Sequence, residues 1–128
     1  IMDAKQHDYI LSVTSHIPHL IAYNIVTTSL NFQNKKEKNI IKYSAGGLRD
    51  FTRIAASNPI MWRDIFIQNK KNTSNMINKF IKNLEGLKKA IQNEDGKKLE
   101  KIFTRTKQIR KDIVRAGQDV KKPDFGRK

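Results

Sequence analysis

Apolar positions recur at helical intervals along most of the chain, and that spacing defines the elements. Between residues 4 and 31, Ile10, Val13, Ile17, Leu20, Ile21, Ile25 and Leu30 return every three or four residues. Pro18 falls inside this run. A proline in a helix interior removes one hydrogen bond and costs ~3 kcal/mol, so the pattern predicts a kinked helix or two abutting ones. The polar stretch Asn31 to Asn39 reads as a loop, and Gly46-Gly47 after Tyr43-Ser44-Ala45 breaks regular structure. Leu48, Phe51, Ile54 and Ala55 then share one face of a short helix. Asn58-Pro59 is a helix start, with Asn58 able to cap and Pro59 suited to the first turn. Met61, Trp62, Ile65 and Phe66 form the stripe behind it.

Two longer stripes follow. Met76, Ile77, Phe80, Ile81, Leu84, Leu87 and Ile91 make the first; Leu99, Ile102, Phe103, Ile109 and Ile113 make the second, with Asn93 to Gly96 between them. Gly117 stands where helices commonly end. Residues 118–128 have no apolar face and read as a flexible basic tail. No alternating strand pattern persists. The expectation is an all-α domain over residues 1–117, a bundle of five to six helices with a long kinked N-terminal helix. Its stripes exceed what a small monomer comfortably covers, and a two-fold homodimer is the commonest way to bury them.

Composition narrows this picture. A chain of 128 residues fits one domain. Its 0 Cys exclude disulfides, thiolate metal sites and cysteine catalysis. No apolar run approaches the ~18 residues of a membrane span, and no signal-peptide pattern opens the chain, so a cytoplasmic protein is expected. Residue 1 is Ile and the helical pattern starts almost at once, so the chain reads as a piece of a longer protein. The net charge of +14 raises nucleic acid as a partner. Residues 1–64 carry 8 basic and 5 acidic side chains, against 18 and 7 in residues 65–128, so the excess lies in the helical C-terminal half. The 17 Ile and 11 Asn that accompany the lysines match a bias of AT-rich coding DNA, which favours a solvated basic face.

Three groups of residues could carry chemistry. His16 and His19 are three apart and share a helix face, with Ser12 and Ser15 one turn earlier. The nearby acids, Asp3 and Asp8, do not complete a metal set, and no nucleophile turn with an orienting acid is visible. The pair is either helix packing or part of a site. Arg49 and Arg53 are four apart, and Asp50 lies three before Arg53, close enough to orient its guanidinium. A guanidinium grips a carboxylate or phosphate through two parallel hydrogen bonds, so this is either an anion clamp or an ordinary surface ion pair. Trp62, the 1 tryptophan, reads as a core or interface anchor first and a pocket wall second.

Four segments in order and spacing identify a resemblance: His7-Asp8; Ser15-His16-Ile17-Pro18-His19; Gly46-Gly47-Leu48-Arg49-Asp50-Phe51-Thr52-Arg53-Ile54-Ala55; and Ser57-Asn58-Pro59-Ile60-Met61-Trp62-Arg63-Asp64-Ile65. Together they resemble the C-terminal helical dimerisation domain of the prephenate/arogenate (cyclohexadienyl) dehydrogenase family, over about residues 3–92 with a looser continuation to 117. Leu48 replaces a Phe common in that family, and Asn58 stands where Asp is frequent. The resemblance implies a domain of the 6-phosphogluconate-dehydrogenase-like C-terminal type. It also implies membership of an enzyme that oxidatively decarboxylates prephenate to 4-hydroxyphenylpyruvate in tyrosine biosynthesis, with hydride passing to NAD or NADP.

The resemblance assigns Arg53 to substrate-carboxylate binding. It sets His19 and His16, with Ser15 beside them, along the same cleft, where they meet substrate or the feedback inhibitor tyrosine. Asp50 would hold Arg53, Arg49 would add positive charge, and Trp62 would wall or gate the pocket near the dimer interface. The chain has no G-x-G-x-x-G, so the nucleotide-binding domain and the family's catalytic histidine are expected outside it. By itself the chain is expected to bind no cofactor and to be inactive. Two other classes stay open: a basic helical nucleic-acid-binding protein, resting on the eight Lys and Arg between Lys97 and Arg115, and a non-catalytic tyrosine-binding regulatory module.

Overall fold

A computed structural model describes residues 1–31 and 46–117. The loop expected after Asn31 and the tail 118–128 lie outside the described residues. Six α-helices follow in order: α1 (Ala4–Leu11), α2 (Ile17–Asn31), α3 (Gly46–Thr52), α4 (Pro59–Gln68), α5 (Lys70–Gln92) and α6 (Gly96–Gly117). A π-helical turn, Ser12–His16, joins α1 to α2, and a 3-10 turn, Arg53–Ala56, follows α3. No strand occurs among the described residues. The all-helical expectation holds.

The break in the first helix lies upstream of the proline expected to cause it. Asp3 caps α1 by accepting from the Gln6 N–H at 2.8 Å. The ladder then widens, and the Ile17 N–H donates to the Ser12 carbonyl, five residues back. Proline cannot donate, so an extra residue absorbed just before it lets Pro18 stand in the first turn of α2, where no donor is required. Local hydroxyls take up carbonyls beside the irregular turn: Ser12 Oγ donates to Tyr9 at 2.6 Å and Thr14 Oγ1 to Ile10 at 2.9 Å.

Gly46 and Gly47 also depart from expectation. They are the first two residues of α3 rather than a break ahead of it. Thr52 Oγ1 donates to the Leu48 carbonyl at 2.7 Å as α3 ends. Of the predicted face, Leu48, Ile54 and Ala55 are half-buried, whereas Phe51 is 54% exposed. The 3-10 turn packs on α2, and Tyr23 Oη ties the two by donating to the Ser57 carbonyl at 3.0 Å. The start of α4 is as read from sequence, with Asn58 Oδ1 accepting from the N–H groups of Ile60 (3.0 Å) and Met61 (3.1 Å).

The chain divides into two compact units, Ile1–Ile81 and Lys82–Lys128. Among the described residues of the first, Ile17, Ala22 and Trp62 are buried apolar side chains, accompanied by the buried polar Ser12, His16 and Thr73. In the second, Ala90 is buried, and Leu87, Leu99 and Ile102 are half-buried. The turn between α5 and α6 is closed twice. The Glu94 N–H reaches the Ile91 carbonyl (3.1 Å) and the Asp95 N–H reaches Ala90 (2.9 Å), the paired bonds of a Schellman ending. Asp95 Oδ1 then caps α6 through the Lys98 N–H at 3.1 Å. Glu94 takes φ 53°, a left-handed conformation that costs a side chain ~1–2 kcal/mol.

Both long stripes stay largely uncovered. Phe80, Ile81, Leu84 and Ile91 of α5 are exposed, as are Phe103, Ile109, Ile113 and Val114 of α6.

Candidate functional site

The first unit gathers four rings from two stretches distant in sequence, His16 and His19 with Trp62 and Phe66. Trp62, on α4 and 7% exposed, stacks on His19 with ring centroids 3.7 Å apart and planes 17° from parallel. His16 meets the same indole edge-on, at 6.2 Å and 82°. Phe66, one turn along α4, lies 5.5 Å from the indole with its plane tilted by 43°. The π turn contributes by holding His16 as its last residue, immediately before α2 carries His19.

The partner of His19 defines where its proton sits. His19 Nδ1 sits 2.8 Å from the Ser15 carbonyl, which only accepts, so Nδ1 carries hydrogen and Nε2 is left as the second ring atom available to a ligand. His16 Nδ1 lies 3.1 Å from Asn69 Nδ2. Burial pushes the His16 imidazole below its ordinary range; Asp8 opposes this, while His19 and His7 add to it. His16 is therefore neutral near pH 7. His7 contacts the Asp8 carboxylate at 3.3 Å on the surface.

The remaining predicted residues distribute unevenly. Ser15 is half-buried and contributes its carbonyl to His19. Arg53 opens the 3-10 turn that packs on α2, the helix carrying His19. Arg49, Asp50 and Arg53 are all exposed residues. Among the described residues no cluster of three metal-ligating side chains occurs, and no helix is long and apolar enough to cross a membrane.

Asn69 escaped the sequence reading. It is the one residue between α4 and α5, receiving no notice in a polar Gln68-Asn69-Lys70 step between two stripes. Its backbone closes α4 through the Ile65 carbonyl (3.1 Å) and opens α5 by accepting from Thr73 (2.9 Å). Its amide reaches His16 and the Asp8 carbonyl, at 2.8 Å for the latter. An Asn at a helix boundary was the available clue, but its long-range partners were not readable.

Among the described residues, six helices without strands, two of them with exposed apolar faces, and a ring cluster on the helix against which an arginine-bearing turn packs define an all-helical domain. Comparisons with known proteins give the family. The family model described as "Prephenate dehydrogenase, dimerization domain" matches residues 3–105, and the chain belongs to that family. It is 38% identical over 110 residues to "Cyclohexadienyl dehydrogenase" of Zymomonas mobilis subsp. mobilis, covering 86% of this chain and 38% of that protein. It is 34% identical over 109 residues to "Prephenate dehydrogenase" of Bacillus subtilis, covering 85% and 29%. Among solved structures it resembles prephenate dehydrogenase from Aquifex aeolicus in complex with hydroxyphenyl propionate and NAD+, with TM-score 0.82 and 41% identity. That match covers 88% of this chain and 39% of the other. The chain thus spans well under half the length of the proteins it matches.

Proposed function

We propose that this chain serves as the dimerising, substrate-binding helical domain of an NAD(P)-linked dehydrogenase acting on prephenate or arogenate. The observation that carries the reading is the Trp62–His19 stack, with His16 on its edge, built on the helix against which the Arg53 turn packs. Flat aromatic and imidazole surfaces suit a six-membered ring, and a guanidinium suits its carboxylate. In this reading Arg53 binds a substrate carboxylate, and Asp50 orients it. His19 Nε2 and His16 Nε2 meet polar ring substituents, Trp62 walls the cleft, and Arg49 adds to the positive field drawing in an anion. Ser15 keeps His19 in its tautomer.

The cofactor belongs to another part of such an enzyme. A dinucleotide pyrophosphate is cradled by a strand, a glycine-rich loop and a helix N-terminus. The described residues hold helices and no strand, and do not fit that cradle. This chain's own contribution is to bind and orient the organic acid and to pair with a second copy through the α5 and α6 stripes. Tyrosine, which shares the ring and carboxylate of the substrate's aromatic product, is the natural competitor for the same groups.

The test is Arg53→Ala in an enzyme containing this chain and a nucleotide-binding domain. Loss of a charge-assisted contact of about 1.5–3 kcal/mol raises KM for prephenate roughly 10–100-fold. An unchanged KM removes Arg53 as the anchor.

A further inference from the structure

The Asn69 amide has an orientation fixed by its neighbours. The Asp8 backbone carbonyl 2.8 Å away can only accept, so the atom facing it is Nδ2. Asn72 Nδ2 donates to Asn69 Oδ1 at 3.0 Å, which agrees. An amide nitrogen has two hydrogens. One serves Asp8, and the other points at His16 Nδ1, 3.1 Å away, which must then be a bare acceptor.

We propose that Asn69 is a positioning residue that locks His16 as its Nε2–H tautomer, so that the ring offers an uncharged N–H donor to a ligand oxygen. The two histidines flanking Trp62 are thereby set oppositely. His16 has its hydrogen on Nε2, held by a side chain from the α4–α5 junction; His19 has its own on Nδ1, held by the Ser15 carbonyl of the preceding turn. Packed around one indole, the pair presents one donor and one nitrogen able to accept. The opposite tautomer of His16 would turn a lone pair toward a carboxylate oxygen, which only accepts, and repel it. Burial of His16 at 7% exposure, against neutral Trp62 and Asn69, supports the uncharged form. The ionisable groups acting on it are Asp8, which favours its charged form, and His19 and His7, which oppose it.

The assignment rests on the ligand-site reading for its purpose, but its test needs no ligand. Long-range proton–nitrogen correlation spectra of the 128-residue chain, recorded above the His16 titration, report the tautomer directly. The expected wild-type result is a pyridine-like Nδ1 and a pyrrole-like Nε2 for His16, with the reverse for His19. Asn69→Asp, of nearly equal shape, replaces the donor by an acceptor. It should exchange the two His16 nitrogen shifts and move its titration upward, leaving the His19 pattern in place. A wild-type His16 carrying hydrogen on Nδ1 overturns the proposal without recourse to a variant. Unmoved His16 shifts in a folded Asn69→Asp chain overturn it as well, because a purely packing role predicts that result. Failure of Arg53→Ala to change KM would leave these spectra unaffected, so the two readings fail separately.

Discussion

The two compact units hold themselves together differently. In Ile1–Ile81, polar side chains bridge elements far apart in sequence: Asn69 to His16 and to Asp8, and Tyr23 to Ser57. In the other unit, the described side-chain bonds are local, such as Asp95 to the Lys98 N–H, Thr106 to Ile102 and Gln108 to Asp112. The first unit encodes its geometry internally, where a wrong partner leaves a buried polar group unsatisfied. The second presents amphipathic helices with exposed apolar stripes.

The contrast yields graded tests. Trp62→Ala should be the most damaging change, costing about 3–5 kcal/mol in denaturant unfolding, because a buried ring that contacts both histidines and Phe66 is lost. A cost below 1 kcal/mol would mean that the cluster does not organise the unit. Asn69→Ala removes donors from both His16 and the Asp8 carbonyl and should cost about 1–3 kcal/mol by the same measurement.

Acid should weaken the wild-type chain through His16. Its folded pKa lies below the ordinary 6.5, so the unfolded chain binds the extra proton first. The stability it contributes is present above 6.5 and is lost as pH falls through that value toward the lowered folded one. Unfolding free energies measured from pH 8 downward should show this slope, and His16→Gln should flatten it.

At the turn of the open unit the expected change is smaller and of opposite sign. Glu94→Gly relieves a left-handed side-chain conformation and should raise stability by about 1 kcal/mol. Its thermal midpoint should rise, and a fall would show that the Glu94 side chain contributes more than its backbone costs.

Much of this contrast was legible in the residues. Helical spacing located the stripes, Asn58-Pro59 marked the start of α4, and Gly117 closed α6. Periodicity reports which face is apolar, not what covers it, so the exposure of Phe51 and of the α5 and α6 stripes was not readable. Pro18 announced an irregularity but not its form, since a π turn upstream accommodates the missing donor as well as a kink does. The Trp62–His19 stack and the Asn69 network join residues with no local relation, and only the tertiary arrangement reveals them.

The central claim is that the open stripes are made for a second copy of this chain. Sedimentation equilibrium of the wild type beside Phe103→Asp, a change at a residue 53% exposed on α6, tests it most directly. The account predicts twice the chain mass for the wild type and a single chain mass for the variant, with equal helix content by circular dichroism. A wild type that sediments as one chain throughout the micromolar range would contradict it.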